Sequence, residues 1–388
     1  MNISQNPNRA DFKLVFVTNL VNHHQLPVAD ELYKHLGANY TYVATMALPE
    51  SMKKIGYKDV ERPYVCNLTD LEDTTQIQKE IDEADVVILG GVDGRYVKNR
   101  LRNNRLTIHY SERLLKRPLR LLSPYHWYKT LMTHTVWNGK NSCLLCASAF
   151  TPSDMKIYGA HINRCFKWGY FTKVEELDIE EVLQRRDKGK AQLMWCARFL
   201  KWKHPELPIR MAARLKERGY NFHLNIYGSG EEFSKSQQLA NKLQLHDVLT
   251  FCGNLPNGQI LEKMRESHIF LFTSDRNEGW GAVLNEAMSN GCAVVASDKI
   301  GAVPYLINST NGCVFKSENL NSLTSKVEFL INNKEEREQM SREAYRTMRD
   351  VWSPENAANN LIELINNLLL GNKEATVSEG PCSKAPYL

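Results

Sequence analysis

Short runs of β-branched or apolar residues alternate with segments of helical period along this chain, and the alternation occurs twice. Parallel strands require a crossover connection, usually a helix, so this pattern is typical of parallel βαβ units. We therefore predict an α/β fold with two doubly wound, Rossmann-like domains. The predicted strands lie at 14–18, 40–45, 86–89, 106–109 and 144–146 in the first half, and at 193–196, 223–227, 248–251, 269–272, 293–296 and 313–315 in the second.

A charged stretch without a strand pattern separates the two halves. We take residues 173–190 as a linker, with one short helix as an option, between an N-terminal domain at 1–172 and a second domain at 191–352. Two domains agree with the length of 388 residues, because a single core stops growing at about 250 to 300 residues. The polar segment 372–388 has little to bury, so we predict a mobile tail.

The composition is that of a globular protein. Charged residues make up 24% and apolar residues 43% of the chain, which excludes a disordered or membrane-embedded polypeptide. The N-terminus is polar and no apolar run approaches the roughly 18 residues of a spanning helix, so we expect a cytoplasmic protein. The nine cysteines are irregularly spaced, which indicates reduced thiols rather than a disulfide framework, and we assign the Cys143–Cys146 pair to core packing.

Positive charge is concentrated in residues 95–140, where eleven lysines and arginines face one acid, Glu112. Aromatic residues such as Tyr125, Trp127 and Trp137 lie among these cations. Basic and amphipathic aromatic side chains together suit anionic lipid head groups, so we predict peripheral attachment to the inner face of the plasma membrane. A solvated basic face is the alternative. Nucleic acid is a poorer candidate, because none of the common nucleic-acid-binding motifs is present.

The segment EGWGAVLNEAM, 278–288, follows a predicted strand and begins a helix. Gly279 and Gly281 flank Trp280 and allow the backbone to approach a ligand closely, while the positive end of the helix favours an anion there. Glu286, one turn into this helix, can accept two hydrogen bonds from a vicinal diol such as ribose. Glu278 would then contact another part of the same ligand. Simple turn glycines and a solvated glutamate remain the alternative.

Two cations follow the strand at 193–196. Arg198 and Lys203 lie on a loop that leads to a helix, where a bidentate guanidinium and an ammonium suit a diphosphate. In YGSGEE, Gly228 and Gly230 follow the next strand and could let the backbone approach a phosphate. Taken alone, such residues are more often surface cations and turn formers. Ligands of open α/β sheets bind at the carboxyl ends of strands, so we place the site in a cleft between the domains.

The order of these motifs resembles the donor domain of retaining GT-B glycosyltransferases of family 4, most specifically over residues 190–320. The resemblance implies that Glu278 contacts the transferred sugar, Glu286 the ribose, and Arg198 with Lys203 the diphosphate leaving group. Catalytic roles thus fall to Glu278, Arg198 and Lys203. The implied donor-binding residues are Glu286, Gly228, Gly230, Gly253, Leu255, Gly279, Trp280 and Gly281, with the backbone from Gly253 to Leu255 near the base and Trp280 where the family often has Phe.

The resemblance also implies a fold and a reaction. The fold is GT-B, with the helix near 353–370 crossing back onto the first domain. The reaction is transfer, with retention, from a UDP-linked donor to a saccharide or lipid-linked saccharide. Since no DxD motif lies in a suitable loop, we expect no metal site, metal-independent transfer and no cofactor besides the donor. A non-catalytic nucleotide-sugar-binding protein and a GT-B-type epimerase or hydrolase are the alternatives.

The first domain offers a polar segment, NHHQLP, after its first strand. Asn22, His23, His24 and Gln25 are candidates for acceptor or phosphate contacts, or alternatively a polar helix cap. With YSERLLKRP (110–118), CASAFTPSD (146–154) and FKWGYF (166–171), this segment resembles bacterial capsular and exopolysaccharide glycosyltransferases. Family members often place a histidine of this domain near the reaction centre, which makes His109 and His134 candidates, with structural roles as the alternative.

Overall fold

The computed structural model describes residues 11–50, 60–186 and 189–388. The chain forms two compact units. The first consists of Met1–Lys173 with Pro354–Leu388, and the second of Val174–Ser353. Each has its own parallel sheet, which confirms the predicted fold of two Rossmann-like α/β units.

The sheet of the first unit has seven strands in the described residues, in the order β3-β2-β1-β4-β5-β6-β7. All of its pairings are parallel. The chain leaves β1 toward one edge and returns to β4 beside it, so the carboxyl ends of β1 and β4 form a switch point where ligands of such folds bind. The strands are β1 Leu14–Thr18, β2 Tyr40–Ala44, β3 Val65–Asn67, β4 Val86–Gly90, β5 Thr107–Ser111, β6 Ser142–Cys146 and β7 Cys165–Lys167.

The sheet of the second unit has six strands in the part of the chain that the structure describes, in the order β10-β9-β8-β11-β12-β13. Its pairings are again parallel, so the loops that follow β8, β9, β10 and β11 emerge at one edge. The strands are β8 Ala191–Cys196, β9 Phe222–Tyr227, β10 Leu249–Gly253, β11 Ile269–Phe272, β12 Ala293–Ser297 and β13 Gly312–Phe315.

Helices connect the strands in both units. Those of the first unit are α1 Leu26–Leu36, α2 Thr75–Glu83, α3 Lys98–Arg102, α4 Pro124–Thr133 and α5 Thr151–Ile157. Those of the second are α6 Ile179–Arg185, α7 Glu206–Glu217, α8 Phe233–Lys242, α9 Asn257–Glu266, α10 Val283–Ser289, α11 Val303–Leu306, α12 Leu320–Asn332 and α13 Lys334–Arg346. The last helix, α14 Pro354–Leu369, belongs to the first unit.

Helix α1 shows how the sequence sets local structure. Pro27 lies in its first turn, Leu32 and Leu36 are buried on one face, and Gly37 ends the helix at a φ of 56°. Proline is tolerated at the first helical positions, and glycine adopts a positive φ at little cost. Helix α14 packs on α1 through its apolar face. The last long helix of the chain thus completes the core of the first unit.

The segment taken as a linker packs on the second unit. Asp178 accepts hydrogen bonds from the backbone of Glu180 and Glu181, which begins α6. Arg186 is buried and donates to the backbone oxygens of Arg265 and Gly291. Residues 187–188 lie outside the described residues.

The predicted mobile tail is wrong for residues 380–385. Cys382 and Ser383 are completely buried, and Lys384 forms an antiparallel bridge with Phe166 of β7. The backbone N–H of Lys167 donates to Ser383 O at 2.7 Å. The edge strand β7 offers unpaired backbone groups, and the tail satisfies them while it buries the Cys382 thiol.

None of the described helices has the length and apolarity that crossing a bilayer requires. Membrane binding by the predicted surface, residues 95–140, would therefore depend on the side chains that these residues expose.

Candidate active site

Three loops of the second unit are held together at the carboxyl ends of its strands. The N–H of Phe199, after β8, donates to Ser229 O at 2.8 Å, and the N–H of Gly228, after β9, donates to Gly253 O at 2.8 Å. Gly228 has a φ of +123°, and a Cβ there would lie 2.0 Å from the carbonyl oxygen of Ala197. The glycine signal at 228 thus reflects a close approach of two loops.

Gly230, two residues further along, repeats this constraint. Its φ is +149°, and a Cβ would lie 2.6 Å from Phe199 O. Glycine is required at both positions, because another residue would push the loops apart. Gly253 ends β10 at a φ of +70°, and Leu255 is half-buried in the loop that follows. The predicted donor-binding glycines therefore lie on adjoining loops.

Lys203 and Glu278 form an ion pair in which Lys203 Nζ donates to Glu278 Oε2. Each residue is only 8% exposed. Nζ also lies 4.3 Å from the centre of the Trp202 ring and 5.5 Å from that of Phe272, so the ammonium is surrounded by aromatic faces and one carboxylate. Separating two charges in such surroundings is costly, which keeps the pair together.

Hydrogen bonds to backbone oxygens connect the two loops that carry these charged residues. Thr273 Oγ1 donates to Lys203 O at 2.7 Å, and Asp275 N–H donates to Trp202 O at 3.0 Å. Glu278 N–H then donates to Asp275 O at 3.1 Å. The loop after β11 is thereby attached to the loop after β8.

Glu286 lies one turn into α10 and is half-buried. Burial raises the pKa of its carboxyl group to about 7, although a hydrogen bond from Asn257 acts in the opposite direction. Asn257 begins α9 and was not among the residues singled out from sequence. The carboxyl group therefore changes charge near neutral pH.

The charges of Glu286 and Lys203 both influence the thiol of Cys196, the last residue of β8. Burial raises the pKa of this thiol to about 12, with Glu286 acting in the same direction and Lys203 in the opposite one. The cation and the second glutamate therefore both lie near the end of β8.

The ring of Trp280, one of the predicted donor-binding residues, lies in the core of the second unit. The ring is completely buried, its Nε1 donates to Asn285 Oδ1 at 2.9 Å, and it packs against Trp352 at 5.7 Å between ring centres. Large aromatic area is most stable in the core, so this residue anchors the loop. Gly279 beside it is buried, and Gly281, at a φ of +95°, lies against the Phe272 ring.

Arg198 occupies an exposed position two residues after β8. The next residue, Phe199, is buried and is tied to the loop after β9, so the backbone of Arg198 is fixed while its side chain reaches solvent. Arg198 thus lies on the same loop as Lys203, without the buried ion pair that holds Lys203.

The first unit contains a cavity of about 400 Å³ at its switch point. It lies at the carboxyl ends of β1, β4 and β5, and all four predicted acceptor residues, Asn22, His23, His24 and Gln25, line it. The other lining residues are Thr18, Asn19, Leu20, Val21, Tyr42, Gly90, Gly91, Tyr110, Ser111, Glu112 and Tyr170.

Hydrogen bonds fix the polar wall of this cavity. Gln25 Nε2 donates to Tyr110 Oη at 2.8 Å and to Gly169 O at 2.9 Å, so Gln25 does not act as a helix cap. Tyr170 Oη donates to Glu112 Oε1 at 2.8 Å. Sequence reasoning missed both tyrosines as site residues, although each lies just inside or after a strand end, in segments 110–118 and 166–171.

The two adjacent histidines are held in their neutral form. Burial, together with the nearby His23, lowers the pKa of His24 to about 3, and burial also lowers the pKa of His23. The His24 ring stacks on Tyr170 with 5.6 Å between centres and 14° between planes. Neutral rings that stack in this way present apolar area together with hydrogen-bonding nitrogens.

His109 and His134, the proposed catalytic histidines, do not line this cavity. They lie in a separate cluster with His161, with ring centres 4.9 to 5.2 Å apart. This placement favours a structural role over direct contact with a ligand in the cavity.

Comparison with known proteins agrees with this geometry. Residues 178–347 match the family described as "Glycosyl transferases group 1". An uncharacterized glycosyltransferase of Methanocaldococcus jannaschii is 26% identical over 162 residues, which are 42% of this chain and 41% of the relative. The poly(glycerol-phosphate) alpha-glucosyltransferase of Bacillus subtilis is 27% identical over 147 residues, 38% of this chain and 21% of the relative. The chain thus matches about two fifths or less of the length of these relatives.

The structural similarity to solved glycosyltransferases extends over nearly the whole chain. HepE of Anabaena, solved in complex with UDP, superimposes with a TM-score of 0.65 at 14% identity, covering 90% of this chain and 98% of HepE. Identity this low shows the fold alone. Residues 178–347 therefore match the glycosyl transferases group 1 family, in a chain whose two parallel-sheet α/β units have the fold of its GT-B structural neighbours.

Proposed function

We propose that this protein is a glycosyltransferase that moves a sugar, with retention, from a UDP-linked donor to a saccharide or lipid-linked saccharide. One observation carries the proposal. The buried Lys203–Glu278 pair lies on the loops that follow β8 and β11, and Glu286 lies one turn into the helix that follows Glu278, all within the region that matches the family. UDP in the HepE complex supports a UDP-linked donor.

In this proposal the second unit stabilises the leaving group. When the bond between the sugar and the diphosphate breaks, negative charge develops on the phosphate oxygen. Lys203 is fixed before the reaction, and Arg198 on the same loop adds a second positive charge, so both interact more strongly with the transition state than with the bound donor. These two cations allow the reaction to proceed without a metal ion.

The two glutamates hold the donor on either side of the diphosphate. Glu278 keeps one oxygen on Lys203 and has the other for hydroxyl groups of the transferred sugar. Glu286, whose pKa is raised to about 7, accepts the ribose hydroxyls best when it is ionised. Retention of configuration rests on the resemblance of these motifs to retaining enzymes.

We assign the cavity of the first unit to the acceptor. Its volume of about 400 Å³ suits a small saccharide, and its walls combine hydrogen-bonding groups with the stacked faces of His24 and Tyr170. Sugar rings bind such surfaces through apolar C–H faces and hydroxyl groups.

The proposal extends to an anionic membrane surface, but through fewer residues than the predicted 95–140. Arg100 is completely buried and donates to backbone oxygens, among them Ala84 O and Leu106 O. Arg113 is buried beside Asp154. These two cations stabilise the fold and cannot reach a bilayer.

Residues 117–136, which we call the basic-aromatic segment, retain the features that lipid binding needs. Leu119 and Leu122 are 75% and 78% exposed, and no residue of helix α4 within this segment is buried. Arg117, Arg120 and Lys129 are exposed beside these apolar side chains. Exposed leucines next to cations suit the interface of an anionic bilayer, which is the occupant we propose.

The experiment that tests the activity is nucleotide release from a donor panel. Purified protein is incubated with UDP-, GDP- and ADP-sugars and a set of saccharide acceptors. We expect UDP release that depends on acceptor and disappears in Glu278→Gln, and NMR of the product gives the anomer. Donor binding without turnover would instead identify a nucleotide-sugar-binding protein. Acceptor-independent release or an altered free sugar would identify a hydrolase or epimerase.

A further inference from the structure

Three histidines that are distant in sequence meet in the first unit. His109 lies in β5, His134 follows α4, and His161 lies in the loop before β7. Nδ1 of His134 is 3.1 Å from Nε2 of His161. One ring nitrogen of each histidine lies within 4.8 Å of the other two. Their spacing of 25 and 27 residues matches no compact metal motif, so the cluster could not be predicted from sequence.

Burial keeps all three imidazoles neutral. His109 and His161 are buried, and burial lowers the pKa of His109 to about 4. Burial likewise lowers the pKa of His134 and His161; His109 acts in the same direction on both, and His134 also does so on His161. A neutral imidazole has a free lone pair on one nitrogen, which is the form that binds metals.

His109 supplies a second, independent observation. Its Nε2 atom is buried and has no hydrogen-bond partner among the residues that the structure describes. A buried polar atom without a partner is unfavourable and requires an explanation. A bound cation provides one, since it would accept the lone pair of this nitrogen.

We propose that His109, His134 and His161 bind one divalent transition-metal ion, zinc by preference. Three nitrogen ligands favour zinc and its neighbours over magnesium or calcium, which prefer oxygen. With zinc–nitrogen distances of about 2.1 Å, a tetrahedral site needs nitrogens about 3.4 Å apart. The His134–His161 pair is already close to this spacing, and rotation of the third ring closes the remainder. Water takes the fourth position.

Binding requires one rearrangement. In the structure one of His134 and His161 donates its N–H to the other. Both of these nitrogens can bind zinc only if the donating ring changes tautomer, so that its proton lies on its other nitrogen. Arg164 is the nearby charged group, and its positive charge acts against a cation at His161. Its Nη1 donates to Lys140 O at 2.6 Å, which holds part of the guanidinium on the backbone.

The surrounding backbone is arranged around the cluster. His161 has a φ of +50°, which is uncommon for a residue other than glycine and is a mark of functional sites. Its N–H donates to Asn138 Oδ1 at 3.3 Å, and Thr135 Oγ1 donates to Tyr158 O at 2.9 Å. Zinc at this point would fasten the end of α4 to β5 and to the loop before β7. The metal would therefore fix the packing of these three segments of the first unit.

The test is metal content of the full chain, purified without a histidine tag. After incubation with zinc and dialysis in metal-free buffer, we expect about one zinc per chain by mass spectrometry. His109→Gln and His161→Gln should reduce this at least tenfold. His126→Gln, on helix α4 just before His134 but outside the cluster, should keep it. Circular dichroism reports whether each variant is folded.

Cobalt reconstitution of the wild type gives a measurement that does not depend on variants. We expect visible absorption bands of a tetrahedral cobalt site without the near-ultraviolet band of thiolate ligands, and a higher midpoint of thermal unfolding. A wild type that retains no zinc overturns the proposal. A thiolate band, or full zinc content in folded His109→Gln, overturns it too, since the metal would then sit on some of the nine cysteines or elsewhere.

Discussion

Lys203 and Glu278, 75 positions apart in the chain, form a buried ion pair at the carboxyl ends of β8 and β11. Replacing Lys203 with methionine leaves a buried carboxylate without its partner, so we expect the second unit to lose about 3 kcal/mol of unfolding free energy. Lys203→Met/Glu278→Leu should recover most of this stability but no transferase activity. Urea unfolding and UDP release measure the two effects.

The control for this pair lies on the same turn. Lys201 is exposed, and Lys201→Met should leave both stability and UDP release nearly unchanged. Equal damage from Lys201→Met, or activity in the double variant, would contradict the role of the pair.

The raised pKa of Glu286 makes the stability of the second unit depend on pH. The folded pKa of about 7 exceeds the unfolded value of about 4.3, so the stability that this group contributes is present below pH 4 and is lost as pH rises through 7. We expect a loss on the order of 3 kcal/mol across this window. Thermal unfolding between pH 5 and pH 8 measures it.

Glu286→Gln should remove this pH dependence, because glutamine stays neutral. Glu217→Gln, on an exposed position of α7, should keep it. UDP binding should strengthen with pH in the wild type and become weak and pH-independent in Glu286→Gln. A wild-type slope that survives in Glu286→Gln would assign the titration to another group.

Gly228→Ala should separate the loops that carry the donor site. Its Cβ would lie 2.0 Å from Ala197 O, at a φ of +123°. We expect a loss of about 2 to 4 kcal/mol in unfolding free energy together with weaker UDP binding, measured by urea unfolding and calorimetry. Gly258→Ala is the matched control, because a Cβ at Gly258 meets nothing within 4 Å and alanine favours helix α9. Comparable effects at both positions would show that the close approach is unimportant.

Tyr170 should determine affinity for the acceptor. Tyr170→Leu removes the ring that stacks on His24, so we expect the acceptor KM to rise about tenfold with the donor KM unchanged. Tyr170→Phe keeps the ring and loses only the hydrogen bond to Glu112, so its effect should be smaller. Steady-state kinetics with each substrate varied separates the two. A change confined to the donor KM would remove the cavity as the acceptor site.

Lipid binding should depend on the basic-aromatic segment. Each cation near an anionic surface contributes about 1 kcal/mol, so Arg117→Glu/Arg120→Glu should weaken binding at least tenfold. Flotation with liposomes, with and without anionic lipid at low salt, measures this. Lys98→Glu/Arg102→Glu makes the same change in net charge at exposed positions outside the segment and should have a much smaller effect. Equal flotation with neutral liposomes would contradict the proposal.

The strands that lie in the middle of each sheet were predictable, because they are continuous apolar runs, as Val86–Gly90 and Ala293–Ser297 show. The edge strands β3 and β7 were missed. Each has only three residues, and β3 is half-buried throughout, so neither produces a periodic signal. The packing of Cys382 could not be predicted either, because it depends on the edge strand β7, which the sequence did not reveal.

The candidate site likewise has features that could be predicted from the sequence and features that could not. Charged residues and glycines after strands, such as Lys203 and Gly228, were visible because parallel strands place their following loops together. The burial of Trp280 and the hydrogen bond from Asn257 to Glu286 were not visible, because they depend on side-chain directions and on helix packing. The cluster of His109, His134 and His161 required the sheet order before its members could be seen as neighbours.

The return of α14 to the first unit has a consequence for biosynthesis. The ribosome synthesises Pro354–Leu369 and the segment around Cys382 after all of the strands β8 to β13, so the first unit remains incomplete, with α1 uncovered, until the second unit has been synthesised. The later half of the chain should therefore become protease-resistant before the earlier half, and nascent chains that stop before residue 354 should depend on chaperones.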